Sequence, residues 1–177
     1  VGEVWTGTNE IASYINGREL DSAFEFELEG KLIEAVKTGK AKVLADAMTK
    51  SAAAFPANTY STFLTNHDQG RIMTAVKGDE AKARAGASIL LTMPGIPFLY
   101  YGEEIGMTGD KPDPKIRTPM QWTAAENVGF TTGKPWTKPN ADAKSVNVDA
   151  ETRNPNSLWH HYVRLMQTRS RSAALRS

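Results

Sequence analysis

Hydrophobic residues along the chain form short apolar runs that alternate with segments of helical spacing, which is the pattern of β/α units around a parallel sheet. The runs predict strands at residues 1–5, 22–28, 60–65 and 96–101. In the second run, phenylalanine and leucine alternate with Glu25 and Glu27, so both glutamates are expected to face solvent or the rim of the sheet. The last run is continuously apolar, which predicts a strand buried on both faces.

A helical segment follows each predicted strand. The spacing of apolar residues predicts helices at residues 8–15, 29–55, 80–92 and from 157 onward, with a break in the second near Gly39 and Lys40. The chain therefore consists of four strand–helix units. Residues 102–156 form a long irregular stretch rich in proline, glycine, asparagine and aspartate. A loop of such length inside a compact domain is usually functional.

Composition excludes several classes of protein. The chain has 177 residues, of which 40% are hydrophobic and 23% charged, and this balance is typical of a globular domain. The net charge of +1 gives no electrostatic reason to expect nucleic acid or an anionic membrane as a partner. Because the chain has no cysteine, it has no disulfides, thiolate metal sites or cysteine nucleophiles. The most apolar stretch, residues 87–101, is too short to span a membrane and is interrupted by prolines and a glycine.

Two predicted strands end in residues that suit catalysis. In barrels built from β/α units, catalytic groups lie after the carboxyl ends of the strands. Glu3 stands beside Val4 and Trp5, and we expect these neighbours to desolvate the carboxyl and raise its pKa, as a general acid requires. His67 and Asp68 follow the third strand, where a carboxylate beside an imidazole suits stabilisation of a cation and hydrogen bonds to hydroxyl groups. Structural alternatives are a rim glutamate in an ion pair and a histidine locked by a turn aspartate.

Three motifs occur in one order along the chain. They are Val-Gly-Glu-Val-Trp at residues 1–5, Phe-Leu-Thr-Asn-His-Asp-Gln at 63–69, and Gly-Ile-Pro-Phe-Leu-Tyr-Tyr-Gly-Glu-Glu-Ile-Gly-Met at 95–107. Together they closely resemble the α-amylase family of glycoside hydrolases. The resemblance covers residues 1–177 and implies an α/β fold that is a partial TIM (β/α)8 barrel, namely strands 5–8 with their helices. We therefore expect a fragment, the second half of a catalytic domain, with its long loop at about 102–156.

The resemblance also implies roles for individual residues. Glu3 matches the general acid/base of the family, and Asp68 matches the carboxylate that stabilises the transition state. Four further residues match groups that bind the substrate sugars: His67, Trp5, Asp113 and Arg117. Segments 117–122 and 129–136 resemble loops of the branch that holds the oligosaccharide α-glucosidases and related α-amylases; their aromatic residues either shape the sugar pocket or anchor the long loop. Glu103 and Glu104 are expected to have a structural role.

The chain departs from the family pattern in one respect that concerns catalysis. The family nucleophile is an aspartate in a Gly-Phe-Arg-x-Asp motif, and an earlier strand carries an Asp-x-x-x-Asn-His motif. Neither motif occurs in this sequence. The isolated chain is therefore predicted to have no glycosidase activity, and its expected partner is the missing amino-terminal half of the barrel.

For the complete enzyme, the resemblance implies retaining hydrolysis of α-1,4-glucosidic bonds in starch-like glucans or maltooligosaccharides. Two alternatives are an exo-acting α-glucosidase and a transglycosylase of the trehalose synthase type. A third is a non-catalytic barrel relative that serves as a binding or accessory subunit, against which the retention of Glu3 and Asp68 argues. No cofactor is expected for this chain, whereas the family's frequent use of calcium leaves a Ca2+ ion open for the complete enzyme. The polymeric substrate of the family favours a secreted protein.

Overall fold

In the computed structural model, which describes residues 1–176, the chain forms two compact units. The first contains Val1–Leu64, Ala85–Phe98 and the segment from Thr168 onward, and the second contains Thr65–Arg84 and Leu99–Gln167. The helices in chain order are α1 (Thr8–Ser13), α2 (Phe26–Thr38), α3 (Ala41–Ala54), α4 (Ile72–Ala75), α5 (Glu80–Thr92), α6 (Asp113–Ile116), α7 (Val148–Arg153), α8 (Leu158–Arg171) and α9 (Ala173–Arg176). A 3-10 helix covers Glu126–Gly129.

The first unit contains a parallel sheet, as the sequence predicts. Its strands are β1 (Ala23–Phe24), β2 (Tyr60–Thr62) and β3 (Ile96–Pro97), in the order β1-β2-β3. Gly2 forms an isolated parallel bridge with Ala23, so the first predicted strand is reduced to a single pairing beside β1. Because parallel strands direct their carboxyl ends to the same edge of a sheet, Glu3 emerges at that edge.

The prediction of a strand over residues 22–28 is wrong after Phe24. Glu25 is fully buried, and it caps helix α2 by accepting the amide of Leu28 on Oε2 at 2.5 Å. Its other oxygen accepts the hydroxyl of Thr8 at 2.6 Å. The alternation of phenylalanine and glutamate resembles a strand, but capping and the burial of the apolar face of α2 stabilise the helix instead.

The prediction that residues 96–101 form a strand buried on both faces is also wrong. β3 is the edge of the sheet, so it has a pairing neighbour on one side only. The backbone amide of Phe98 still donates to the carbonyl of Thr62 at 2.7 Å, but no strand continues beyond this point. Ile96 and Phe98 remain 38% and 37% exposed.

Most of the predicted helices are confirmed. Helix α5 has the predicted bounds, and the predicted break in the segment 29–55 separates α2 from α3 at Gly39, whose φ of 75° suits glycine. The long loop is irregular except for α6, α7 and the 3-10 helix. In the second unit, Ile105, Met107 and Met120 form a buried cluster that anchors this loop. Within residues 1–176, no helix combines the length and hydrophobicity that crossing a membrane requires.

Candidate active site

The turn after β2 holds Asp68 and His67 at the start of the second unit. The side chain of Asn66 accepts the backbone amide of Asp68 at 2.8 Å, which shapes this turn. Asp68 Oδ1 accepts Nη2 of Arg117 at 2.6 Å, and Asp68 Oδ2 lies 3.2 Å from Nε2 of His67. A carboxylate offers about four lone-pair positions, so the contacts with Arg117 and His67 leave others that a sugar hydroxyl can use. The side chain of Asp68 is 30% exposed, which keeps those positions accessible.

Arg117 connects the predicted sugar-binding residues of the second unit. Its Nη2 also donates to Oδ2 of Asp113 at 2.8 Å, and its Nε donates to the backbone carbonyl of His67 at 2.8 Å. The second oxygen of Asp113 pairs with Lys111 Nζ at 2.5 Å, and this hydrogen bond is the main reason that the pKa of Asp113 is lowered. The structure therefore brings His67, Asp68, Asp113 and Arg117 together in one ion-pair cluster, which we call the Arg117 cluster.

Glu3 and Trp5 lie in the first unit, and the expected desolvation of Glu3 is wrong for this structure. Glu3 is exposed, and Val4 beside it is only half-buried. The indole of Trp5 stacks on Phe26, with ring centroids 4.7 Å apart and planes 16° from parallel, so it does not cover the carboxyl group. Trp5 is still 58% exposed, as a platform for a sugar ring would be.

The aromatic residues of the long loop line a cavity of about 430 Å³ in the second unit. Its aromatic members are Tyr101, Trp122, Phe130 and Trp136, and we call it the aromatic cavity. Arg117 also lines it, so the cavity adjoins the Arg117 cluster. Its volume lies within the usual range for small-molecule sites, about 300–1,000 Å³. Of the two open alternatives for these aromatic residues, their place around a cavity favours a role in shaping a pocket.

Sequence reasoning missed Arg71. Its side chain is fully buried, and its guanidinium lies over the rings of Tyr100 and Tyr101, at 4.6 and 4.7 Å from their centroids. Its Nη1 donates to the carbonyl of Tyr101 at 2.6 Å. One arginine in a polar turn gives no sequence signal of burial. The adjacent Tyr100 and Tyr101 of the third motif are the sequence feature that could have indicated aromatic partners for a buried cation.

Glu103 has the structural role expected of it. The residue is buried, and Oε1 accepts the hydroxyl of Tyr162 at 3.1 Å. Burial raises the pKa of Glu103 to about 8. Glu104, in contrast to Glu103, lines the aromatic cavity.

Replacing Glu103 by glutamine is expected to change how stability depends on pH. The pKa of Glu103 rises from an ordinary value of 4.5 to about 8 on folding, so the folded protein binds the proton more tightly and stability falls as pH rises between these values. Glutamine is neutral at every pH and removes this contribution. From about pH 5 to about pH 9, we expect the free energy of unfolding of the unchanged protein to fall by on the order of 4 kcal/mol relative to that of the Glu103→Gln variant. Urea unfolding of both proteins at the two pH values measures this shift, and parallel pH profiles would contradict it.

The histidine and carboxylate side chains of the described residues do not cluster as metal ligands would. Within residues 1–176, no group of three or more histidine, aspartate or glutamate side chains is arranged to hold a metal ion. His160 and His161 each place Nε2 3.1 Å from a backbone carbonyl, of Thr152 and Arg84 respectively. We therefore assign no catalytic step to a metal ion in this chain.

Comparison with known proteins identifies relatives of this chain. Residues 1–177 match the family described as alpha amylase, catalytic domain. The chain is 39% identical to Alpha-amylase 3 of Dictyoglomus thermophilum over 181 residues, which cover 99% of this chain and 36% of that protein. It is 34% identical to an oligo-1,6-glucosidase of Parageobacillus thermoglucosidasius over 151 residues, which cover 62% of this chain and 27% of that protein. A crystal structure of alpha-amylase from H. orenii matches with a TM-score of 0.85 and 34% identity, over 98% of this chain and 36% of that one.

The match to this crystal structure establishes an α/β fold of the TIM-barrel type, which is the predicted class. The chain spans 27–36% of the length of these three proteins.

Proposed function

Because the chain belongs to the α-amylase catalytic-domain family, we propose that it supplies two catalytic carboxylates, those of Glu3 and Asp68, to a retaining glycoside hydrolase that acts on α-glucosidic bonds. The observation that carries this proposal is the Arg117 cluster. In it, one arginine holds Asp68 and Asp113 at 2.6 and 2.8 Å, beside a histidine that is accessible to a ligand. A partly exposed set of carboxylates, an imidazole and a guanidinium is suited to binding the hydroxyl groups of a sugar.

We further propose that residues 1–177 are the second half of a (β/α)8 barrel, strands 5–8 with their helices. The parallel order of Gly2, β1, β2 and β3 supports this, as does the share of each relative that the chain spans. The remaining half would then supply the nucleophile. Retention requires the nucleophile to lie about 5–5.5 Å from the acid/base.

In the proposed mechanism, Glu3 protonates the leaving glycosidic oxygen while the nucleophile attacks the anomeric carbon. Positive charge develops on the sugar ring, and the negative charge of Asp68 stabilises it, while His67 forms a hydrogen bond with a hydroxyl of the same sugar. Glu3, now ionised, then takes a proton from a water molecule while the water oxygen attacks the anomeric carbon. The bond between the sugar and the nucleophile breaks, and the sugar is released. Because Glu3 is exposed in this structure, bound substrate and the rest of the barrel would provide the desolvation that a general acid needs.

The aromatic cavity supports an oligomeric glucan as the substrate. Aromatic rings stack on the apolar faces of sugars, and Trp122 and Trp136 are 48% and 63% exposed. Arg117 belongs both to the cavity and to the Arg117 cluster, so adjacent sugar units can contact the two. We propose α-1,4-linked maltooligosaccharides and starch-like glucans as substrates. A polymer of this kind cannot cross a membrane, so a secreted location fits the proposal.

A second candidate is an exo-acting α-glucosidase specific for α-1,6 bonds. It is favoured by the identity of 34% with the oligo-1,6-glucosidase of P. thermoglucosidasius. The two candidates differ in which linkage the complete catalytic domain cleaves faster. By the complete catalytic domain we mean this chain joined to the segment that supplies the nucleophile.

Replacing Asp68 by asparagine in the complete catalytic domain tests the proposed function. We expect kcat on maltotriose to fall by about 10²–10³-fold, because the charge that stabilises the transition state is lost. Isomaltose is assayed in parallel, and faster cleavage of it by the unchanged protein would select the second candidate. The control is Asp46→Asn, which removes an exposed carboxylate paired with Lys42 in the first unit and is expected to leave kcat unchanged. Equal activity of Asp68→Asn and the control would contradict the role of Asp68.

A further inference from the structure

Two tyrosine hydroxyls hold the backbone on either side of Arg117. The hydroxyl of Tyr100 donates to the carbonyl of Ile116 at 3.0 Å, and that of Tyr101 donates to the carbonyl of Thr118 at 2.7 Å. Burial raises the pKa of Tyr100, so its hydroxyl stays protonated and remains a donor across the working pH range. Arg117 is thus the residue between two anchored carbonyls.

The same two tyrosines are held by Arg71. Its guanidinium lies over both rings and its Nη1 donates to the carbonyl of Tyr101 at 2.6 Å. Arg71 comes three residues after Asp68 in the same turn region, and its amide donates to the carbonyl of Gly109 at 2.9 Å. The contacts therefore connect the segment that carries Asp68 to the segment that carries Arg117, beside the direct ion pair between these two residues.

The guanidinium of Arg71 is only partly hydrogen-bonded within the described residues. The side chain is fully buried, and its Nε and Nη2 make no hydrogen bond within the described residues. Burying a charged group with unsatisfied donors is unfavourable, and an apolar side chain of similar volume commonly fills such a place at lower cost. What the arginine adds here is a cation over two rings, which attracts both rings and helps to hold them in place.

We propose that Arg71, Tyr100 and Tyr101 form a clamp that positions Arg117 to bind substrate next to Asp68. This inference rests on the proposed function of Arg117 in sugar binding. The clamp residues are positioning residues, because they act through the backbone of residues 116–118 and not on the reacting atoms. Without the clamp, Arg117 would lose its fixed place between Asp68 and Asp113, and substrate binding would weaken more than the chemical step.

The kinetic test uses the double variant Tyr100→Phe, Tyr101→Phe in the complete catalytic domain, which keeps both rings over Arg71 and removes only the hydroxyls. We expect KM for maltotriose to rise about tenfold with kcat within about threefold of the unchanged protein. In a background of Arg117→Lys, the same double change should have no further effect on KM, because the residue that the clamp positions has been altered. An unchanged KM, or an equal rise in the Arg117→Lys background, would overturn the proposal.

The control variant is Tyr162→Phe, which removes a buried hydroxyl of the same unit that donates to Glu103. It is expected to lower stability without changing KM. A rise in KM equal to that of the double variant would show that any lost tyrosine hydroxyl has this effect, and would overturn the clamp.

A second measurement needs no substrate and separates failure of the clamp from failure of the proposed function. The Nε–H of Arg117 donates to the carbonyl of His67 at 2.8 Å, and we expect this hydrogen bond to slow the exchange of that proton with water. We expect nitrogen-15 NMR to show exchange at least about tenfold faster in the double phenylalanine variant than in the unchanged protein or in Tyr162→Phe. Unchanged exchange would overturn the clamp whatever the activity. An inactive unchanged protein with the expected exchange difference would contradict only the proposed function.

Discussion

The isolated 177-residue chain is expected to release no glucose or maltose from maltooligosaccharides. Retaining hydrolysis needs an ionised carboxylate to attack the sugar, and the Gly-Phe-Arg-x-Asp motif that supplies it in the family is absent. Neither Asp68 nor Glu103 replaces it. Asp68 is bound by Arg117 at 2.6 Å, and the pKa of about 8 keeps the buried Glu103 neutral near neutral pH.

Product analysis after a long incubation measures this, with the complete catalytic domain as the active reference. The variant Glu3→Gln of the isolated chain is assayed beside it. Turnover that persists equally in both comes from a contaminating enzyme. Turnover that Glu3→Gln removes would show that residues 1–177 contain a working nucleophile, and would contradict the predicted inactivity of the isolated chain.

The members of the Arg117 cluster could be selected from the sequence because they lie in motifs that resemble those of the family. His67 and Asp68 are adjacent, and Asp113 and Arg117 occupy one turn of α6 and its end. Their closure into one cluster depends on Arg117 reaching a turn that lies 49 residues earlier, which no local pattern indicates. The motif resemblance therefore selected the residues, and the structure shows the contacts between them.

The surroundings of Glu3 could not be predicted in the same way. Val4 and Trp5 are adjacent to it in sequence, but a side chain is desolvated by what packs over it, and Trp5 packs on Phe26. Glu25 gives the opposite case, since its alternation with phenylalanines predicts exposure and its role as a helix cap buries it. Arg71 is buried by tyrosines about thirty residues later in the chain. In each case the burial of a charged group is decided by tertiary contacts that sequence spacing does not contain.

Replacing Glu3 by glutamine in the complete catalytic domain is expected to lower kcat on maltotriose by about 10²–10⁴-fold. Glutamine has nearly the same shape, but it cannot protonate the leaving oxygen or accept a proton from water. The matched control is Glu34→Gln, which removes an exposed carboxylate paired with Lys31 in the first unit and should leave kcat unchanged. A fall in kcat is not by itself specific, because a disturbed fold would also produce one.

Comparison of two leaving groups provides that specificity. A sugar leaves as a strong base and needs a proton, whereas 4-nitrophenolate is a weak base that leaves without one. Loss of the acid should therefore slow the cleavage of maltotriose much more than the release of 4-nitrophenolate from 4-nitrophenyl α-maltoside. A damaged site would slow both substrates by the same factor.

The proposed role of Glu3 is that of the general acid in an enzyme that hydrolyses α-glucosidic bonds and to which this chain contributes. It is tested most directly by the loss in kcat/KM that Glu3→Gln causes on maltotriose, divided by the loss that it causes on 4-nitrophenyl α-maltoside. We expect a ratio of at least about tenfold for Glu3→Gln and a ratio near one for the Glu34→Gln control. Equal losses on the two substrates, or no loss on either, would contradict it.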